Sequence, residues 1–145
     1  MDVLWSIGTS VREGERIINF ARTATEIDGE VWNPETQIKY QVLLIKNRYY
    51  LDPNNSQSLN NLNKEQISLL TNLNHSLTFE EAMDIFLSKG YVDPAMRGRN
   101  SLNNLKKLGL VKIVNSRVVC TEICKKLIND DLTLNEFMFE TFLKY

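Results

Sequence analysis

The sequence has few of the residues from which metal sites and disulfide frameworks are built. Its 145 residues include two cysteines, Cys120 and Cys124, and one histidine, His75. The cysteines lack the paired spacing of a zinc site, so we expect both to be apolar core residues. No glycine-rich phosphate loop is present, and a Ser/His/Asp set has one histidine to draw on. The sequence therefore predicts no metal site, no cofactor and no nucleophilic catalysis.

Long hydrophobic runs are also absent. No apolar segment approaches the ~20 residues that a membrane-spanning helix needs, and the N-terminus lacks the basic and apolar regions of a signal peptide. We therefore expect a cytoplasmic protein with no membrane partner. Its 43% hydrophobic content is enough for a buried core, and its length suits one domain or two small subdomains.

Charge is distributed unevenly along the chain. The formal net charge is -1, but residues 91–128 contain eight Lys/Arg against two Asp/Glu. Residues 1–90 contain eight Lys/Arg against twelve Asp/Glu, and residues 129–145 contain one against four. A basic segment within a near-neutral chain is typical of a DNA contact surface on an otherwise ordinary domain.

This basic segment has the pattern of a recognition helix. Asp93 and Pro94 can start a helix and Gly109 can end it. The apolar residues of the segment recur at helical spacing, at Ala95, Leu102, Leu105 and Leu108. The opposite face is polar and carries no acid, with Asn100, Asn103 and Lys107 flanked by Arg97, Arg99, Asn104 and Lys106. This face suits a DNA groove.

A tight β-hairpin is predicted directly after the helix. Residues 110–114 and 117–121 are rich in β-branched side chains, and Asn115-Ser116 between them has the composition of a two-residue turn. The tip presents Asn115 and Arg117, and the segment as a whole forms a helix followed by a wing. The alternative is a basic, solvated helix packed on a hairpin in a small α+β domain.

The N-terminal region also carries a candidate phosphate-binding pair. Ser10 and Glu13 have the spacing of a capping box. Arg12 and Arg16 then lie one turn apart near a helix N-terminus, where the dipole and free N–H groups favour anions. An equally good interpretation pairs these arginines with glutamates of the same helix, namely Glu13, Glu15 or Glu26.

The order of predicted elements indicates a fold that is mainly α with a small β-wing. A helix from Pro34 to about Asn47 precedes an Asn/Ser-rich segment, residues 52–63, which we interpret as a linker. Asn63 caps a short helix, and Thr78 with Glu81 caps another. We therefore predict a helical N-terminal subdomain, residues 1–51, and a winged helix-turn-helix subdomain, residues 64–145.

Two further segments were open to interpretation. The pair Tyr49-Tyr50 can stack on bases, but aromatic pairs in this position more often belong to the core. The last predicted helix, which Thr133 and Glu136 cap, is apolar through Leu143. This helix needs a partner surface, so we expect either a domain cut from a longer protein or a terminal helix that docks on its own domain.

These patterns assign each candidate residue to a part of a DNA duplex. Arginine pairs with guanine and asparagine with adenine, so five side chains are expected at base edges: Arg97, Arg99, Asn100, Asn103 and Asn104. The remaining basic side chains are expected at phosphates: Lys106, Lys107, Lys112, Arg117, Arg12 and Arg16.

The chain resembles the N-terminal DNA-recognition part of AlwI-like type IIS restriction and nicking endonucleases. Four stretches carry the resemblance in the family's order, and together they cover nearly the whole chain: LWSIGTSVREGERI, then DGEVW with QIKYQVLLI, then RGRNSLNNLKKLGLVKIVNSRVVCTEICKKLIND, and finally LTLNEFMFETFLKY. By position, Ser10, Arg12 and Arg16 match the family's opening polar segment, and Arg97 and Arg99 match its Arg-x-Arg motif ahead of the wing.

The resemblance implies a domain that binds an asymmetric DNA site while a separate C-terminal nuclease domain or subunit cleaves outside it. Mg²⁺ is the expected cofactor of that second domain. A metal-dependent nuclease core needs a carboxylate followed by Asp/Glu-x-Lys on adjoining strands, and this chain has no such set. We therefore expect the chain alone to be a monomer that binds double-stranded DNA without cutting it.

Two other functions compete with this interpretation. A stand-alone winged-helix transcription regulator would use the final apolar helix as a dimer surface and bind a two-fold symmetric site. It has no need of the opening segment with Arg12 and Arg16. A protein-docking module would present the same basic face without binding nucleic acid.

Overall fold

The computed structural model describes residues 11–129, with side chains from residue 14 onward. The helices are α1 Val11–Ala24, α2 Pro34–Lys46, α3 Lys64–Thr71, α4 Phe79–Ser88, α5 Pro94–Lys107 and α6 Glu122–Ile128, and the strands are β1 Val111–Val114 and β2 Arg117–Cys120. The described part is thus mainly helical with a two-stranded antiparallel sheet, as predicted.

The chain divides into two compact units. The hairpin unit comprises residues 1–33 and 100–145, and the helical unit comprises residues 34–99. Helix α5 contributes residues 94–99 to the helical unit and residues 100–107 to the hairpin unit. The predicted subdomains, residues 1–51 and 64–145 with a linker at 52–63, have other boundaries and stay a prediction.

The helical unit is built around α2, which packs against α4. Tyr40, Val42, Leu44 and Ile45 of α2 are fully buried, as expected for a helix with apolar residues on more than one face. The core of the unit also includes Leu51, Leu70, Leu77, Ala82, Ile85 and Phe86. Tyr50 packs against this cluster, which favours the core interpretation of the tyrosine pair.

Residues 52–63, predicted as a linker, form a series of turns that is held to the C-terminal end of α4. The ammonium of Lys89 donates to the carbonyl oxygens of Gln57, Ser58 and Asn60 at 2.9–3.1 Å. In return, the side-chain amide of Asn61 donates to the Lys89 carbonyl at 3.0 Å. The segment is therefore a folded loop of the helical unit, although its composition is typical of a flexible chain.

The predicted helix starts at Asn63 and Thr78 are confirmed, and α6 has a comparable cap at Thr121. Thr78 and Glu81 form the expected capping box, and Thr121 accepts from the Cys124 backbone N–H. Asn63 caps α3 as predicted, and Gln66 completes a second capping box there. These helices begin where local side chains satisfy the otherwise free N–H groups of the first turn.

In the hairpin unit, α1 packs against α6 and the hairpin follows α5. Leu110 N–H bonds to Leu105 O and Gly109 N–H bonds to Lys106 O, which is the Schellman arrangement, with Gly109 at φ +76°. The helix therefore ends at the predicted glycine. The chain leaves it directly into β1.

The hairpin closes through Asn115-Ser116, as predicted. Both residues have positive φ, 51° and 65°, which defines the mirror-image turn that matches the twist of two-residue hairpins. Residues 29–32 run along β2, because Gly29 N–H bonds to Val118 O and Trp32 N–H bonds to Ser116 O, each at 2.7 Å. Val31 thereby forms an antiparallel bridge with Arg117.

Several predicted features lie outside the described residues. These are the opening segment through Ser10, the side chains of Arg12 and Glu13, the Thr133-Glu136 capping box and the final apolar helix. Between residues 11 and 129, no helix has both the length and the hydropathy required to cross a bilayer.

Candidate nucleic-acid interface

The exposed face of α5 is the one that the sequence pattern predicts. Ala95, Leu102 and Leu105 are buried, at 7%, 0% and 1% exposure. Of the polar residues predicted for the opposite face, Arg97 and Arg99 are half-buried, and five are exposed: Asn100, Asn103, Asn104, Lys106 and Lys107. The alternation follows from the 3.6-residue helical repeat, which separates the leucines from the amides and lysines.

The composition of this region makes the face electropositive. Residues 100–121 contain four Lys/Arg and no Asp or Glu. Within the described part of the chain, the five exposed polar side chains of α5 have no hydrogen-bond or ion-pair partner. Their amide and ammonium groups are therefore available to a partner without loss of an internal bond.

The hairpin, which follows α5 in the sequence, adds a second set of exposed polar groups. Lys112 of β1 and Asn115 at the tip are both exposed. Arg117 is exposed as well, but its Nη1 donates to the Gly29 carbonyl at 2.9 Å. Arg117 thus helps to hold residues 29–32 against β2, and only part of its guanidinium remains open to a phosphate.

Arg97 and Arg99, the two predicted guanine-contacting residues, are bound within the helical unit. The Arg99 Nη1 donates to Gln37 Oε1 at 3.0 Å, and its Nη2 bonds to the Asp93 carboxylate at 3.2 Å. The Arg97 guanidinium lies over the Tyr91 ring, 4.4 Å from its centroid. Burial raises the pKa of Tyr91, an effect that the charge of Arg97 partly opposes. Both arginines therefore have structural contacts.

The N-terminal candidates are described only in part. Arg16 is exposed, and its guanidinium lies 4.9 Å from the centroid of the Phe20 ring. This cation-π contact was not anticipated by either the phosphate or the ion-pair interpretation. Ser10 and the Arg12 side chain fall outside the described residues. The predicted phosphate-binding pair thus stays a prediction.

Sequence reasoning missed the groups that fix the hairpin. Asp28 Oδ1 accepts from the Cys120 backbone N–H at 3.0 Å, across 92 positions of sequence. Thr121 Oγ1 donates to the Gly109 carbonyl at 2.8 Å, which closes the hairpin base. The Asp28-Gly29 dipeptide gave a turn signal, but nothing local indicated that its carboxylate would reach β2.

The cysteines and histidine have internal roles. Cys120 and Cys124 are buried free thiols, as predicted. Their mutual hydrogen bond is the main cause of the raised pKa of Cys120, to which burial adds. His75 Nε2 lies 2.8 Å from Glu81 Oε1. Among residues 11–129, no group of three or more His, Cys, Asp or Glu side chains is arranged to hold a metal ion.

No protein-family model, curated protein or solved structure matches this chain. The resemblance to AlwI-like endonucleases therefore rests on the sequence stretches given above.

Proposed function

We propose that this chain binds double-stranded DNA through the exposed face of α5 and the hairpin, in a winged helix-turn-helix arrangement. The observation that carries the proposal is a set of exposed amide and ammonium groups on α5 that have no partner among residues 11–129, namely those of Asn100, Asn103, Asn104, Lys106 and Lys107. An α-helix fits the major groove of DNA, where amides bond base edges and lysines neutralise phosphates.

The secondary-structure order supports the winged form of this proposal. Helix α4 and helix α5 are consecutive, and β1 and β2 follow α5 at once. Residues 29–32, which come after α1, bond to the backbone of β2 and form one antiparallel bridge with it, at Val31 and Arg117. Winged helices have the same chain order: a helix, a short strand, further helices and then a hairpin that pairs with the short strand. Lys112 and Asn115 then occupy the wing.

The broader role that we propose is the recognition domain of a type IIS restriction or nicking endonuclease. Its support is the sequence resemblance, in which the cutting domain is separate and uses Mg²⁺. The alternative is a stand-alone winged-helix regulator. Sedimentation with selected DNA separates the two, because a recognition domain binds an asymmetric site as a monomer, whereas a regulator binds a palindrome as a dimer.

The test of DNA binding is fluorescence anisotropy with labelled duplexes over a range of salt concentrations. The three exposed lysines, Lys106, Lys107 and Lys112, predict a log-log slope of roughly -3, from about -0.9 per neutralised phosphate. Replacing all three by serine should remove most of the affinity. The control replaces Lys64, Lys125 and Lys126, which are exposed on other helices, and changes the net charge equally.

Equal binding by the two triple variants would contradict the proposed surface. Absence of binding to any duplex at low salt would overturn the DNA-binding function itself. Incubation of the purified chain with supercoiled plasmid and Mg²⁺ tests the remaining expectation, that the chain does not cut. Glu35→Ala, which removes the carboxylate in the first turn of α2, serves as the comparison. Nicking that disappears in this variant would reveal an active site.

A further inference from the structure

The exposed face of α5 contains three asparagines and no arginine. Asn100, Asn103 and Asn104 are exposed, and none has a partner in the described part of the chain. The two arginines of the same helix are engaged elsewhere, Arg97 with Tyr91 and Arg99 with Gln37 and Asp93. The exposed face of α5 thus offers carboxamide groups to a base pair, whereas the guanidinium groups of Arg97 and Arg99 are bound to other residues of the protein.

We propose that α5 selects adenine·thymine pairs, and that Asn100, Asn103 and Asn104 are the residues that set this preference. The inference rests on the proposed DNA-binding function and specifies the target of the same site. A carboxamide presents one donor and one acceptor side by side, which matches N7 and N6–H₂ of adenine. Guanine presents two acceptors, N7 and O6, so the carboxamide oxygen faces an acceptor there.

Guanine is instead recognised by two donors, most often from arginine. Both terminal nitrogens of Arg99 already donate, one to a buried side chain, since Gln37 is 6% exposed. Turning Arg99 toward a base would break its hydrogen bond to the buried Gln37 oxygen and its ion pair with Asp93. The asparagines break no such internal bond when they contact a base, because their amides face solvent.

The spacing of the asparagines gives the length of the preferred segment. A helix rises about 1.5 Å per residue, so Asn100 and Asn104 are separated by ~6 Å along the axis. Base pairs are stacked about 3.4 Å apart. The amides therefore span about two base-pair steps, and we expect two or three consecutive A·T pairs at the centre of the bound site.

The first experiment is selection from a pool of randomised duplexes, followed by affinity measurements on the enriched sequence. Replacing one central A·T pair by G·C should weaken binding about 5- to 150-fold, the range for one paired base contact. Asn103→Ala should abolish the preference at one position. Asn74→Ala is the matched control, since Asn74 is an exposed asparagine of the helical unit.

The second experiment alters the DNA and leaves the protein fold untouched. Replacing N7 by carbon in the central adenines removes the acceptor that an asparagine amide bonds, and should weaken binding about as much as Asn103→Ala does. The same replacement in guanines of the site should leave affinity within about twofold. Weakening by 7-deazaguanine alone would overturn the inference, as would an enriched sequence with G·C pairs at its centre.

The outcomes also separate this inference from the proposed function. Binding that is equally tight to A·T-rich and G·C-rich duplexes would overturn the adenine preference and leave DNA binding intact. Failure to bind any duplex would overturn both.

Discussion

Two sets of cations, one in each unit, differ in their contacts. In the helical unit, Arg48 donates to four backbone carbonyls, at Leu69, Leu70, Asn72 and His75, and Lys89 donates to three more. In the hairpin unit, Lys106, Lys107 and Lys112 are exposed and have no protein partner among the described residues. The first set closes loops, and the second set is available for binding.

This difference shows why basic residues should not be counted together as a DNA-binding surface. Carbonyl oxygens at helix ends and in loops carry partial negative charge, and a long cationic side chain can satisfy several of them. The burial of Lys89 lowers its pKa, as expected for a cation withdrawn from water. Substitution of Arg48 or Lys89 should therefore reduce stability, whereas substitution of Lys106 or Lys107 should reduce binding.

The largest stability loss is expected for Gly98→Ala. A Cβ built on Gly98 lies 1.9 Å from the Gln37 backbone oxygen, so α2 and α5 would have to move apart. We expect a loss of roughly 3 kcal/mol or more in the free energy of unfolding, at the upper end of the range for overpacking. Urea denaturation measures the loss.

An uncrowded helical glycine behaves differently, because alanine there stabilises by about 0.5–1 kcal/mol. Asn100→Ala is the control on the same helix, since Asn100 is exposed. It should leave stability within about 0.5 kcal/mol. A Gly98→Ala protein as stable as the control would contradict the close backbone contact.

The next largest effect is expected for Arg48→Met. The guanidinium bonds the four carbonyls at 2.6–3.1 Å, and it ties α2 to the end of α3 and the following loop. Methionine keeps much of the apolar stem but removes every donor. We expect the free energy of unfolding to fall by about 2–4 kcal/mol. Hydrogen bonds from charged groups are worth about 1.5–3 kcal/mol each, and some of these four are exposed and contribute less.

Thermal or urea unfolding measures this loss, and Lys64→Met is the control for removal of an exposed positive charge. If the two variants lose equal stability, Arg48 acts through its charge alone. The distinction between loop-closing and available cations would then fail.

A smaller effect, confined to binding, is expected for Lys107→Ala. Lys107 is exposed on α5, so stability should change by no more than about 0.5 kcal/mol. Affinity should fall by a similar factor on every duplex, and the salt slope should shrink in magnitude by about 1, because one phosphate contact is lost. Sequence-dependent loss would place Lys107 at a base edge, and unchanged affinity would remove it from the interface.

The sequence predicted those features that depend on neighbouring residues. Thr78 with Glu81, the Asn115-Ser116 turn and the Gly109 helix end each arise from a few adjacent residues, and all are observed. The face of α5 was predictable for the same reason, since a helical repeat alone separates Leu102 and Leu105 from the asparagines.

Contacts between distant residues were not predictable in this way. Arg99 meets Gln37 across 62 positions, and Arg117 meets Gly29 across 88. The type and position of both arginines predict a contact with DNA, but neither property indicates these internal acceptors. Single-sequence patterns indicate which way a side chain points, but they do not indicate which acceptor the fold brings to it.

The smallest effect concerns acid stability at the start of α4, in the helical unit. Glu81 Oε1 accepts from the Thr78 backbone N–H at 2.9 Å and lies 2.8 Å from His75 Nε2. The Thr78 bond is the main cause of the lowered pKa of Glu81, and His75 adds to it. A carboxyl whose folded pKa is lowered stabilises the fold above its unfolded pKa, about 4.3 for glutamate, and loses that contribution as the pH falls.

Glu81→Gln tests this directly, because glutamine keeps an acceptor oxygen but does not titrate. We expect the melting temperature of the wild-type protein to exceed that of the variant near pH 6 and to converge with it as the pH falls below about 4.3. Glu80→Gln is the control, since Glu80 lies in the same first turn but does not form the capping box. A melting-temperature difference that stays constant from pH 6 to pH 3 would show that packing, rather than the charge of Glu81, stabilises this end of the helix.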